Sequence, residues 1–217
     1  GGAATVCVGA TTTLTNGMTG GTWSSSSYPV KLTINSTTGV VTGVAAGTAI
    51  VTYTVPHECG VSYVTRVMTV NPLPTVSPIS GTMSICVGWT ITATNATTGG
   101  VWSSSNPSSA TVSSAGVITG VAGGMPVISY SVTNGCGTVA ATALVPVGTA
   151  PAVTSITGAS SVCVEGTAAL FNSTTGGSWS TSDITHAAVS SAGIVTGVGE
   201  GTATITYAVH NGCGYSF

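Results

Sequence analysis

The sequence predicts an all-β chain of three small two-sheet sandwiches arranged in tandem, and three observations predict it. One order of landmarks occurs three times: Cys7, Trp23, Gly39, Tyr53, Cys59; then Cys86, Trp102, Gly116, Tyr130, Cys136; then Cys163, Trp179, Gly193, Tyr207, Cys213. The leading cysteines fall 79 and 77 residues apart, and self-similarity at a fixed period marks a repeat array. Apolar and polar residues alternate with period two, as in Ala49-Ile50-Val51-Thr52-Tyr53 and Ala203-Thr204-Ile205-Thr206-Tyr207, which is the pattern of half-buried strands. Glycines punctuate these runs, and no long stretch shows helical periodicity or a helix cap.

Proline-bearing joints at Asn71-Pro72-Leu73-Pro74 and Pro146 to Pro151 divide the chain into repeats over 1–72, 73–149 and 150–217. Proline stiffens such joints and keeps edge strands from mispairing. The second and third repeats are preceded by Thr75–Gly81 and Val153–Gly158, for which the first has almost no counterpart. The first two continue past their second cysteine into Val61–Val70 and Thr138–Val147, whereas the third stops at Gly214-Tyr215-Ser216-Phe217. The first repeat is therefore expected to lack its leading strand and the last its closing strand, as in a window cut from a longer polymer.

Composition narrows the function. Only 3% of the residues are charged, against about 25% in ordinary soluble domains. The net charge of -2 offers no footprint for nucleic acid or an anionic membrane surface. The mean hydropathy of +0.54 comes from short alternating runs that never approach the roughly 18 consecutive apolar residues of a spanning helix. A chain this neutral must depend on hydroxyl-rich surface, attached sugars or an assembly to keep its copies apart or in order. Six cysteines, two per repeat and 52, 50 and 50 residues apart, read as a disulfide framework in an oxidising, extracellular setting. The preferred pairing is within each repeat, Cys7–Cys59, Cys86–Cys136 and Cys163–Cys213. The alternative staples neighbours through Cys59–Cys86 and Cys136–Cys163, because spacing alone does not choose among 15 connectivities.

A Cys, a Trp 16 residues on and a second Cys among short strands suggest a sandwich of immunoglobulin type. The motifs Cys86-Val87-Gly88, Gly99-Gly100-Val101-Trp102-Ser103-Ser104-Ser105, Gly116-Val117-Ile118-Thr119-Gly120-Val121 and Asn134-Gly135-Cys136-Gly137, with Gly201-Thr202-Ala203-Thr204-Ile205-Thr206-Tyr207 in the third repeat, carry a family resemblance. The chain resembles the bacterial Ig-like group 2 domains related to invasin and intimin repeats, in the disulfide-bearing form of Bacteroidota surface and secreted proteins. The resemblance implies an Ig-like sandwich and a stalk, adhesin or filament role, and no catalytic residues.

Trp23, Trp102 and Trp179, with Tyr53, Tyr130 and Tyr207, recur at one strand position each and read as core. Trp89 occurs at one turn only and is either a packing contact between repeats or an anchor for a partner. Tyr28, Tyr63 and Tyr215 join it as candidate partner contacts on an adhesin reading. Asn35, Asn95 and Asn172 open glycosylation-type sequons, which chance also supplies in a chain so rich in Asn, Ser and Thr. Four acids and three histidines, none recurring in all three repeats, leave no catalytic constellation and no metal or cofactor site to expect. The function expected is structural, a segment of an extracellular filament or stalk partnered by further repeats or copies of itself. A surface adhesin gripping polysaccharide is the alternative.

Overall fold

The computed structural model describes Gly1–Phe217 and contains strands, bridges and turns without a helix. The first repeat carries β1 (Thr5–Cys7), β2 (Thr11–Thr13), β3 (Thr22–Ser25), β4 (Leu32–Ile34), β5 (Val40–Gly43), β6 (Gly47–His57) and β7 (Gly60–Asn71). The second carries β8 (Ile85–Cys86), β9 (Thr90–Thr92), β10 (Val101–Ser104), β11 (Ala110–Val112), β12 (Val117–Gly120), β13 (Val127–Asn134), β14 (Gly137–Leu144) and β15 (Val147–Gly148). The third carries β16 (Thr157–Gly158), β17 (Thr167–Phe171), β18 (Ser178–Thr181), β19 (Ala187–Val189), β20 (Ile194–Gly197), β21 (Ile205–Asn211) and β22 (Gly214–Ser216).

The first repeat shows the plan. One sheet runs β1-β7-β6-β3 and the other β2-β5-β4. Val51, Met68 and Val70 of the first sheet pack with Leu32, Ile34 and Val41 of the second into one buried cluster. The alternation seen in the sequence is realised along β6, where Ala49, Val51 and Tyr53 are buried while Ile50 faces outward. β1 runs parallel to the closing strand β7, with Cys7 opposite Asn71, and β8 pairs with β15 in the same sense, with Cys86 opposite Gly148. In the third repeat β22 is three residues long where β7 is twelve, so Ser160–Cys163 has no closing strand beside it. The leading segments are slight throughout: β16 is two residues, the second repeat has one bridge between Ser80 and Thr94, and Gly1 exchanges backbone hydrogen bonds with Thr15 at the same place.

Two compact units divide the chain. The first unit holds Gly1–Ile79, Asn95–Val101 and Tyr130–Thr142; the second holds Ser80–Thr94, Trp102–Ser129 and Ala143–Phe217. The second repeat's hairpin tip belongs with the first repeat because it is bonded to it, as described below.

Each repeat is pinned by its tyrosine. The Tyr53 hydroxyl accepts a hydrogen bond from the Gly21 amide at 2.9 Å and donates to the Met18 carbonyl at 2.8 Å. Tyr130 does the same with Gly100 and Thr97, and Tyr207 with Gly177 and Thr174. Trp23 stands opposite Tyr53 in the ladder with ring centroids 4.6 Å apart, and Trp179 opposite Tyr207 at 4.8 Å. The tryptophans are half-buried, less than a core plug would be, because β3, β10 and β18 are each the edge of their sheet. A turn glycine lies close over each indole: at Gly193, with φ +79°, an added Cβ would sit 2.5 Å from the Leu170 carbonyl oxygen and 3.1 Å from the Trp179 ring. Only glycine suits both demands.

Tyr53→Phe leaves the Gly21 amide and Met18 carbonyl without these partners, and an expected loss of about 1–3 kcal/mol would be read from chemical denaturation. Stability equal to the parent would refute the pinning role.

Candidate functional site

The site of interest is the joint between repeats. Cys7 is bonded to Cys136 and Cys86 to Cys213, with Cα–Cα distances of 5.4 and 5.3 Å, while Cys59 and Cys163 are exposed free thiols. Both pairings expected from sequence are thereby corrected: no repeat closes on its own two cysteines, and neither Cys59–Cys86 nor Cys136–Cys163 forms.

The reason lies in the sandwich. Cys7 ends β1 opposite Asn71, where the chain leaves the first repeat, whereas Cys59 occupies the turn between β6 and β7. The ladder of those two strands runs from Gly47 opposite Val70 to His57 opposite Gly60. At about 3.3 Å per residue that ladder separates the two cysteines by about 30 Å, far beyond the roughly 7 Å a disulfide spans between Cα atoms. A repeat therefore carries one cysteine at its exit and one at the opposite tip. The tip of one repeat lies against the exit of the repeat before it, and there the bond forms.

An asparagine completes each joint. At the end of β13 the Asn134 side-chain Oδ1 accepts from the Cys136 amide at 2.8 Å, while its Nδ2 donates to the Pro72 carbonyl of the linker at 3.0 Å. Asn211 repeats the arrangement with the Cys213 amide and the Thr149 carbonyl, at 2.8 and 2.9 Å. Cys136 Sγ lies 3.7 Å from the Asn71 carbonyl oxygen, and Leu73 of the linker packs near Gly137. Sequence held a signal for this pairing. The bonded tips both read Asn-Gly-Cys-Gly, whereas the free one reads His57-Glu58-Cys59-Gly60; the bonded strands read Cys-Val-Gly, whereas the free one reads Cys163-Val164-Glu165. Glu165 holds φ 62° where Gly9 and Gly88 hold 80° and 82°.

The other candidates do not assemble. Trp89 is 59% exposed. Tyr28, Tyr63 and Tyr215 are also exposed, and none of the four principal hollows is lined by two of these aromatics. Tyr215 stacks on His210 with centroids 5.3 Å apart. The sequon residues do structural work: Asn95 Nδ2 donates to the Ser77 carbonyl and Asn172 Nδ2 to the Thr154 carbonyl, at 2.6 and 2.7 Å, tying each leading segment to its sandwich. Asn35 caps its turn by accepting from the Thr37 and Thr38 amides. Asp183 contacts His186 Nδ1 at 2.9 Å. The hydroxyl and amide of Thr185, ahead of His186, hold its carboxyl down at about 2 against the ordinary 3.8. These bonds cap the loop.

The third repeat keeps an open groove of about 350 Å³ lined by Val162, Leu170, Ala187 and Ile205. Their counterparts Val6 and Ile85, Leu14 and Ala93, Leu32 and Ala110, and Val51 and Ile128 are buried. There Met68 and Val70 of β7, or Val145 and Val147 beside β14, supply the cover.

Each disulfide closes a loop of 129 or 127 residues, for which chain entropy alone gives about 5 kcal/mol. Cys136→Ser is expected to lower stability by several times more than Cys59→Ser, and a thiol reagent should label Cys59 and Cys163 alone in the folded chain; equal effects or labelling at Cys7 would contradict the pairing. Because the folded Asp183 value is depressed, its contribution is complete above 3.8 and is lost as pH falls through about 2. The Thr185 amide resonance should titrate with that midpoint, and Asp183→Asn should abolish the transition.

No protein-family model and no curated protein matches the chain. Among solved structures, it is similar to the S-layer protein SbsC, residues 31–844, at 19% identity over 87% of this chain and 28% of that one, with a TM-score of 0.26. It is also similar to extracellular domains 3–5 of Drosophila OTK, at 11% identity over 98% and 90%, TM-score 0.36. A SusE-like surface located polysaccharide binding protein from the Bacteroides thetaiotaomicron heparin utilisation locus matches at 12% identity over 67% and 32%, TM-score 0.36. The chain spans less than a third of the length of the S-layer and SusE-like structures.

Proposed function

We propose that this chain is a load-bearing segment of an extracellular fibre or stalk, built from Ig-like repeats of the bacterial group 2 kind, and that it is not an enzyme. One observation carries the reading: both disulfides bond the exit of one repeat to the hairpin tip of the next. A bond that served only to stabilise a repeat would lie inside it. A bond across the joint resists bending and separation of neighbours, which matters to a structure under tension. Disulfides of this kind persist in oxidising surroundings, so the place of action is outside the cell or at its surface. Scarcity of charge fits a body whose neighbours are fixed by covalent bonds, since it needs little mutual repulsion.

The route of tension follows from the connectivity. Pulled from its termini, the oxidised chain straightens only through residues 1–7, 86–136 and 213–217, since the two bonds shunt everything else. Force spectroscopy should give a full extension of about 200 Å when oxidised and about 750 Å when reduced, at about 3.5 Å per residue. Antibodies against the chain should decorate fibres or stalks on intact cells. Long extension in the oxidised chain, or label confined to the cell interior, would overturn the reading.

A further inference from the structure

Cys59 and Cys163 are the unjoined halves of a link the chain makes twice. Each existing link runs from the first cysteine of a repeat, at the end of its opening strand, to the second cysteine of the following repeat, at the tip of its hairpin. Cys163 is a strand cysteine, the counterpart of Cys7 and Cys86. Cys59 is a tip cysteine, the counterpart of Cys136 and Cys213. Within residues 1–217 every other cysteine is taken, and these two are exposed. They are complementary in kind, and for each the equivalent residues elsewhere in the chain are bonded to the other kind.

The surroundings of Cys163 are open as well. Val162 lines the groove and is half-exposed, whereas Val6 and Ile85 are each 6% exposed beneath their closing strands. Cys59 projects from a turn in which Gly60 meets nothing within 4 Å of an added Cβ. A tip of this kind is free to approach another molecule.

We propose that Cys163 of one copy forms a disulfide with Cys59 of a second copy, carrying the linking rule of the chain across molecules. The proposal rests on the fibre reading and names its partner. The two thiols surrender two electrons and two protons to a disulfide oxidant such as oxidised glutathione. One sulfur–sulfur bond forms between the copies, one breaks in the oxidant, and two glutathione thiols are released. The contact is heterologous, so a chain of joined copies still offers one unjoined Cys163 and one unjoined Cys59 for further links. His57 stands where Asn134 and Asn211 clamp the linker; its Nε2 lies 3.3 Å from Ser62 Oγ instead. The intermolecular joint therefore depends on sulfur without the amide clamp, and reductant should disperse it.

The test is incubation of the purified 217-residue chain in a glutathione redox buffer, followed by non-reducing electrophoresis and peptide mapping. The expected result is a ladder of dimers and larger species that collapses to monomer with reductant, and a Cys59–Cys163 peptide between chains. Cys59→Ser and Cys163→Ser should each form no ladder alone, while their mixture should form dimers and nothing larger. Retained Cys7–Cys136 and Cys86–Cys213 peptides would show that both variants are folded. Dimers of either variant alone, a Cys59–Cys163 bond inside a monomer, or two persistently free thiols would overturn the proposal. Any of these would leave the fibre reading to stand or fall by surface labelling and force.

Discussion

The constraint behind this structure is the length of one hairpin. β6 and β7 pair over eleven residues, and that reach puts a repeat's second cysteine far from its first. A shorter hairpin would bring the two within bonding distance and turn each repeat into a self-contained disulfide domain. In the second repeat the corresponding hairpin, β13 and β14, carries its tip to the joint, where Asn134 grips the linker and Cys136 meets Cys7. Sandwich, linker and bond are then parts of a single device: the core holds the hairpin straight, the hairpin presents the tip, and the tip fixes the neighbour.

The interior follows from modest materials. With few large apolar residues available, each repeat combines a small alternating core with a tyrosine whose hydroxyl serves two backbone groups and a tryptophan shielded by a glycine turn. Bodies of this size have little stability to spare. Covalent loops of well over a hundred residues, which penalise the unfolded chain heavily, complement such cores. The third repeat shows how much one strand matters. Leu170, Ala187 and Ile205 belong to the same interior positions as their buried counterparts, and without a strand over them they are partly open to solvent.

Much of the fold was legible in the chain. Period-two alternation placed β6 and β21, and the Trp and Tyr landmarks located the paired rings of the first and third repeats. Disulfide pairing was not legible by spacing, because equal intervals of about 50 residues suggest closure within a repeat and say nothing about strand length or direction. Reading β6 and β7 as one continuous ladder would have exposed the conflict, and the contrast between Asn-Gly-Cys-Gly and His-Glu-Cys-Gly would have separated the bonded tips from the free one. Trp89 was uninformative for a different reason. A lone aromatic in a turn looks the same in sequence whether it packs or projects, and only the fold gives its exposure.

The two bonds also overlap, since residues 86–136 lie inside both loops. Cut the backbone once anywhere between Cys7 and Cys213 and the pieces stay attached, by Cys7–Cys136, by Cys86–Cys213, or in the shared stretch by both. A single protease nick therefore cannot sever the strand. For material exposed to the enzymes of other organisms, such redundancy sets durability as much as folding energy does, because severance requires a second cleavage or the reduction of a bond.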